Sequence, residues 1–110
     1  LEELDTGGCP NLVSPLPAVK DLVRLRNLNF YGCEALRELP ELDGLSSLQT
    51  LNLAKCRSLI SLPELNGLEA LRTLSLRSCT SLTSLPASLC SLTSLHTLDL
   101  SFLLWLLVRM

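Results

Sequence analysis

The sequence predicts a solenoid: a right-handed α/β-type coil stacked on itself. A parallel β-sheet would line the concave face, extended and 3-10 segments the convex face, with little or no α-helix. Three observations predict it. Leucine supplies 32 of the 110 residues and aromatic residues only 4%, a bias too strong for an ordinary mixed core. The leucines recur in blocks that begin at residues 1, 25, 48, 71 and 95, which is 24, 23, 23 and 24 residues apart. Self-similarity at a fixed period of this size marks an array of stacked units. Within a block the spacing is also neither the three-and-four alternation of an amphipathic helix nor a sustained alternation by two.

The blocks can be aligned residue by residue. "LRNLNFYGCEALRELPELDGLSS" begins at Leu25, "LQTLNLAKCRSLISLPELNGLEA" at Leu48 and "LRTLSLRSCTSLTSLPASLCSLTS" at Leu71. A looser block begins at Leu1 and a partial one, "LHTLDLSFLLWL", at Leu95. The shared skeleton is L-x-x-L-x-L-x-x-C-x-x-L-x-x-L-P, the leucine-rich repeat pattern, whose ninth position is asparagine or cysteine. Its L-x-L core, as in Leu51-Asn52-Leu53, alternates and predicts a short strand with leucines inward. The leucines around Leu36 and Leu39 fall at corners. Leu42, Leu45 and Leu48 are three apart and suit extended or 3-10 turns on the back. Pro40, Pro63 and Pro86 restrict the backbone and hold it extended there. One coil cannot bury its leucines alone, so stability must come from stacking on neighbours. Five strands are expected, with one array over residues 1–110 and an irregular apolar tail over 101–110. The opening on Leu1, within a repeat, predicts a fragment of a longer array, and the tail "SFLLWLLVRM" reads as an improvised hydrophobic cap, a contact for a following domain or, as favoured here, a truncated or out-of-frame end.

Cys9, Cys33, Cys56 and Cys79 share one column. A small side chain with a weak S–H donor can fit inside the turn and reach a carbonyl there. Parallel neighbours one strand step apart approach poorly for a disulfide, and a linear ladder does not converge on a metal ion. The cysteines are therefore read as a structural ladder, with no metal and no cofactor. Cys90 lies outside the column and is expected as a half-buried filler.

With its ninth-position cysteine and its Leu-Pro corner, the skeleton resembles the repeats of plant intracellular immune receptors. The likeness is to the subclass with a toll/interleukin-receptor-like domain and a nucleotide-binding domain. The resemblance implies an array that recognises a pathogen protein, a guarded host protein or another domain of the same receptor. It also implies a part in holding the receptor inactive, and a cytoplasmic or nuclear location. A repeat scaffold in a non-immune plant, algal or protist protein is the alternative. The chain carries no G-x-x-x-x-G-K-[ST] phosphate loop; Gly7-Gly8 lacks the lysine and the spacing.

Residues between the inward leucines predict the concave surface. One column holds Glu2, Arg26, Gln49, Arg72 and His96, and the next Glu3, Asn27, Thr50, Thr73 and Thr97. The central column is Asp5, Asn29, Asn52, Ser75 and Asp99, followed by Gly7, Tyr31, Ala54, Arg77 and Ser101. Gly8, Gly32, Lys55, Ser78 and Phe102 stand outermost. Tyrosine and arginine are enriched at interface hot spots, so Tyr31, Arg72 and Arg77 lead the expected contacts. Arg26, Asn27, Asn29, Asn52, Lys55, Ser75, His96 and Asp99 complete the face. A shallow curved sheet suits a protein better than a small-molecule substrate. A net charge of −2 argues against nucleic acid, and the apolar run Phe102 to Val108 is far shorter than the roughly 20 residues of a membrane span. No enzyme is expected. His96 and Asp99, three apart on a strand, splay from each other and form no triad. The carboxylates Glu38, Glu41, Asp43, Glu64 and Glu69 scatter over the corners and back.

Overall fold

The computed structural model describes residues 2–9, 11 and 22–103. Each repeat contributes one three-residue strand: β1 (Glu3–Asp5), β2 (Asn27–Asn29), β3 (Thr50–Asn52), β4 (Thr73–Ser75) and β5 (Thr97–Asp99). They form one parallel sheet in chain order. The register pairs equivalent residues of successive repeats, Leu4 with Leu28, Leu28 with Leu51, Leu51 with Leu74 and Leu74 with Leu98. A slip by one residue would turn this leucine column outward, so burial of one side chain per strand sets the stacking of whole coils. The first-coil segment 12–21 and tail residues 104–110 lie outside the described residues. The repeat register holds through Leu103, which is buried in the column that holds cysteine elsewhere.

Hydrogen bonding runs past the strands at both ends. The amides of Gln49 and Thr50 both donate to the Arg26 carbonyl, and those of Arg72 and Thr73 to the Gln49 carbonyl. After each strand the direction reverses: Phe30 donates to Asn52, and Leu53 to Ser75, in the coil that follows. Each coil thus supplies donors and acceptors on both sides, as buried backbone groups require.

The core is a set of ladders inside the coil. Leu25, Leu48 and Leu71 form one; Leu28, Leu51 and Leu74 the strand ladder; Phe30, Leu53 and Leu76 the next, all at most 1% exposed. Leu36, Leu59 and Leu82 fill a corner. On the convex side the expected 3-10 tendency takes two forms. In the 23-residue coils it is a chain of isolated turns, Leu45 to the Leu42 carbonyl and Leu48 to the Leu45 carbonyl. In the 24-residue coil that begins at Leu71 it becomes a 3-10 helix, Ala87–Ser91, that starts behind Pro86. The extra residue turns Ser88 inward, where it is 6% exposed and its Oγ accepts the Leu65 amide at 2.7 Å. An amide of the preceding coil gains a partner in this way.

Two expectations about cysteine are corrected here. Cys90 is exposed on the 3-10 helix, not half-buried, because Ser88 takes the inward position. Cys9 is exposed as well and is not part of the ladder. The reason is visible in its equivalents. Cys33, Cys56 and Cys79 do not bond within their own turns: each thiol donates to a carbonyl of the coil before, Thr6, Phe30 and Leu53 respectively, at 3.1, 3.1 and 3.0 Å. Among the described residues no coil precedes β1 to offer Cys9 such a carbonyl. The buried thiols therefore join coils as well as filling space. Burial pushes the Cys56 thiol up to about 12 and the Cys79 thiol to about 11. Like charge on the Cys79 and Cys33 thiols adds to the rise at Cys56. Labelling should separate the two classes. An alkylating reagent on the native protein should modify Cys9 and Cys90 alone, and mass spectrometry should find the other three modified only after denaturant.

Candidate functional site

The face that could meet a partner is the concave surface of the sheet, with the rim just past the strand ends. Its floor holds a shallow hollow of about 300 Å³, lined by residues that include Glu3, Asp5, Asn27, Asn29, Thr50 and Asn52. Asn27 donates its Nδ2 to Glu3 at 3.1 Å, and Asn29 donates its Nδ2 to Asp5 at 3.2 Å.

The central column has an architectural task. The side-chain oxygens of Asp5, Asn29, Asn52 and Asp99 accept the amides of Gly7, Tyr31, Ala54 and Ser101, each two residues on. This is the local turn that asparagine and aspartate favour by bonding their own backbone. It bends the chain out of each strand and aims the following residue. At Asp99 these bonds from Ser101, helped by the nearby Arg77 guanidinium, hold the carboxyl below its ordinary range.

The rim follows directly. Tyr31 is 42% exposed and Phe102 57%. The Lys55 ammonium lies 5.6 Å from the Tyr31 ring centre, and the Arg77 guanidinium 4.9 Å from that of Phe102. Arg77 also lies 3.9 Å from the Asp99 carboxylate, a loose surface pair. The outermost position of every coil has a left-handed backbone, with φ of 76° at Gly8, 72° at Gly32, 61° at Lys55, 60° at Ser78 and 65° at Phe102. Glycine adopts this shape freely, whereas an L side chain there costs roughly 1–2 kcal/mol. The lysine and the phenylalanine occupy positions that the first two coils give to glycine.

Other expected residues lie where the columns put them. Arg26, Arg72, Arg77 and His96 are exposed, and Ser75 and Lys55 half-buried. His96 donates from Nδ1 to the Ser94 carbonyl at 2.6 Å, while Asp99 turns to Ser101 and Arg77 instead. The acidic residues Glu38, Glu41, Asp43, Glu64 and Glu69 are all exposed. Glu34 pairs with Arg57 of the following coil at 3.2 Å. Phe102, read as the start of the apolar tail, proves to be part of the rim; its place in the outermost column was the signal.

These stacked coils, with their sheet and leucine ladders, match a solved structure. The leucine-rich repeat domain of the type III effector XCV3220 (XopL) aligns with a TM-score of 0.79 and 32% sequence identity. The chain has the leucine-rich repeat fold. The alignment covers 90% of this chain and 34% of that one, so the array spans about a third of the effector chain it resembles. Neither the protein-family models nor the curated proteins searched give a match. Leucine-rich repeat domains are in general protein-interaction modules. Among the described residues of this array no helix is long and apolar enough to cross a membrane.

Proposed function

We propose that the array binds a protein on its concave face and does so without catalysis. The observation that carries this reading is the rim and face together: exposed tyrosine, phenylalanine and arginine held on a rigid ladder above a hollow too shallow for a small-molecule site. Such anchors on a pre-ordered backbone lose little side-chain freedom on binding. The test is a double substitution, Tyr31→Ala with Arg77→Ala, in an array with its partner in hand. Binding measured by calorimetry should weaken by about tenfold or more, with the melting temperature little changed. Equal affinity would sink the reading.

Within this class the finer proposal is the sensing and self-restraining segment of a plant-type intracellular immune receptor, working in the cytoplasm or nucleus. The ninth-position cysteines and Leu-Pro corners support it. Likeness to a type III effector's repeat domain adds no support for that role. Reading the gene through its full length tests it: an upstream nucleotide-binding domain is expected. Without one, the array is the interaction scaffold of a non-immune protein.

A further inference from the structure

We infer that the rim formed by Tyr31, Lys55, Arg77 and Phe102 docks an acidic peptide segment that carries an aromatic or apolar side chain. The inference rests on the concave face being the binding face and adds the chemistry of the occupant. Charge complementarity is the first support. Segments 25–33, 48–56 and 71–79, which build the face of the three middle coils, contain Arg26, Lys55, Arg72 and Arg77 and no carboxylate. The protein as a whole is acidic, with a net charge of −2, and the carboxylates of the face, Glu2, Glu3, Asp5 and Asp99, stand in its first and last coils, so the middle of the face is basic. The carboxylate paired with the rim's Arg77 is that of Asp99, and the contact is long at 3.9 Å. A partner carboxylate at hydrogen-bonding distance would compete well with it.

The backbone is the second, independent support. Lys55 and Phe102 sit at φ of 61° and 65°, where a bulky side chain is an outlier. Gly8 and Gly32 show that glycine serves the same position. Strain kept in place by the surrounding fold is found at functional positions; here it falls on Lys55, Ser78 and Phe102, of which the first and last are a cation and an aromatic ring of the rim. Each ring is already paired with a cation, Tyr31 with Lys55 and Phe102 with Arg77. That arrangement offers an incoming chain alternating charged and apolar contacts. Coils step by about 4.8 Å, so Tyr31 and Phe102, three coils apart, stand roughly 14 Å from each other. An extended segment of four or five residues spans that distance.

The strained positions supply a test that separates binding from folding. Lys55→Gly and Phe102→Gly remove a rim side chain and relieve the backbone, so the melting temperature of the whole chain should hold or rise. Fluorescence anisotropy would use a labelled peptide of Glu-Glu-Tyr repeats, its Lys-Lys-Tyr counterpart and heparin. The acidic peptide should bind, the basic one should not, and each glycine variant should weaken the acidic peptide at least about fivefold. Ile60→Ser, away from the rim, should leave binding as it was. No binding of the acidic peptide, or binding indifferent to both glycine variants, would overturn the inference. So would heparin binding more tightly than the peptide with the same dependence on Lys55 and Phe102, which would make the rim a general polyanion site. If the acidic peptide fails while a protein partner still depends on Tyr31 and Arg77, this inference falls and the concave-face reading stands.

Discussion

Raising the pH from about 8 to about 11 should markedly destabilise the array, with the loss setting in near pH 9. An ordinary thiol titrates near 9, whereas burial holds those of Cys56 and Cys79 protonated up to about 12 and 11. A group that binds its proton more tightly in the folded state stabilises that state fully below its unfolded value. The stabilisation then disappears as pH climbs through the interval to the folded value. Each pH unit of that interval is worth about 1.4 kcal/mol per group, so two thiols together remove several kcal/mol. A domain of this kind has only about 5–15 kcal/mol in all. The chemistry is local: a thiolate has no proton for the Phe30 or Leu53 carbonyl that the thiol now serves. Thermal melts followed by circular dichroism at several pH values would show the fall. The double variant Cys56→Ser with Cys79→Ser keeps a donor but does not titrate in this range. Its melting temperature should stay nearly level from pH 8 to 10.5. Parallel curves for the two proteins would refute the account.

The thiols also show where sequence reasoning reached and where it stopped. A column of cysteines at a 23-residue period is legible as internal and structural, because it recurs in step with the leucine columns at 25, 48, 71 and 28, 51, 74. Which carbonyl each sulfur meets is not legible, since the period fixes columns but not the stagger between coils. The bond from Cys79 to Leu53 spans 26 residues, more than one period. Cys90 departs from its expected place for a related reason: the added residue of the block that begins at Leu71 breaks the column at the point where inward and outward are decided, and Ser88 turns inward instead. On the concave face the columns separate outward from inward residues except at Ala54, which is buried, and at Leu98, which is 37% exposed. They do not reveal that Asn29 and Asn52 accept their own turn's amides. An asparagine at a strand end reads the same whether it faces a partner or its own backbone. Lys55 and Phe102 carry no sequence mark of a left-handed backbone either; the glycines at 8 and 32 in their column are the only hint.

Truncating Leu51 to alanine should cost more than truncating any other strand leucine near the ends, and it should be felt beyond its own coil. Leu51 is 0% exposed, and its strand pairs with β2 on one side and β4 on the other. Removal of a leucine side chain from so closed a site costs about 3–4 kcal/mol, the lost transfer energy plus the cavity left behind. Leu98 holds the equivalent place in β5 but is 37% exposed, so Leu98→Ala should cost about 1 kcal/mol. The inequality follows from how a stacked array is stabilised: each coil leans on its neighbours, so a central defect weakens two interfaces. Urea unfolding should give the two free-energy differences. Hydrogen exchange should show the amides of β2, β3 and β4 losing protection together in Leu51→Ala. Equal costs at the two positions, or a loss of protection confined to β3, would mean that the coils do not support one another.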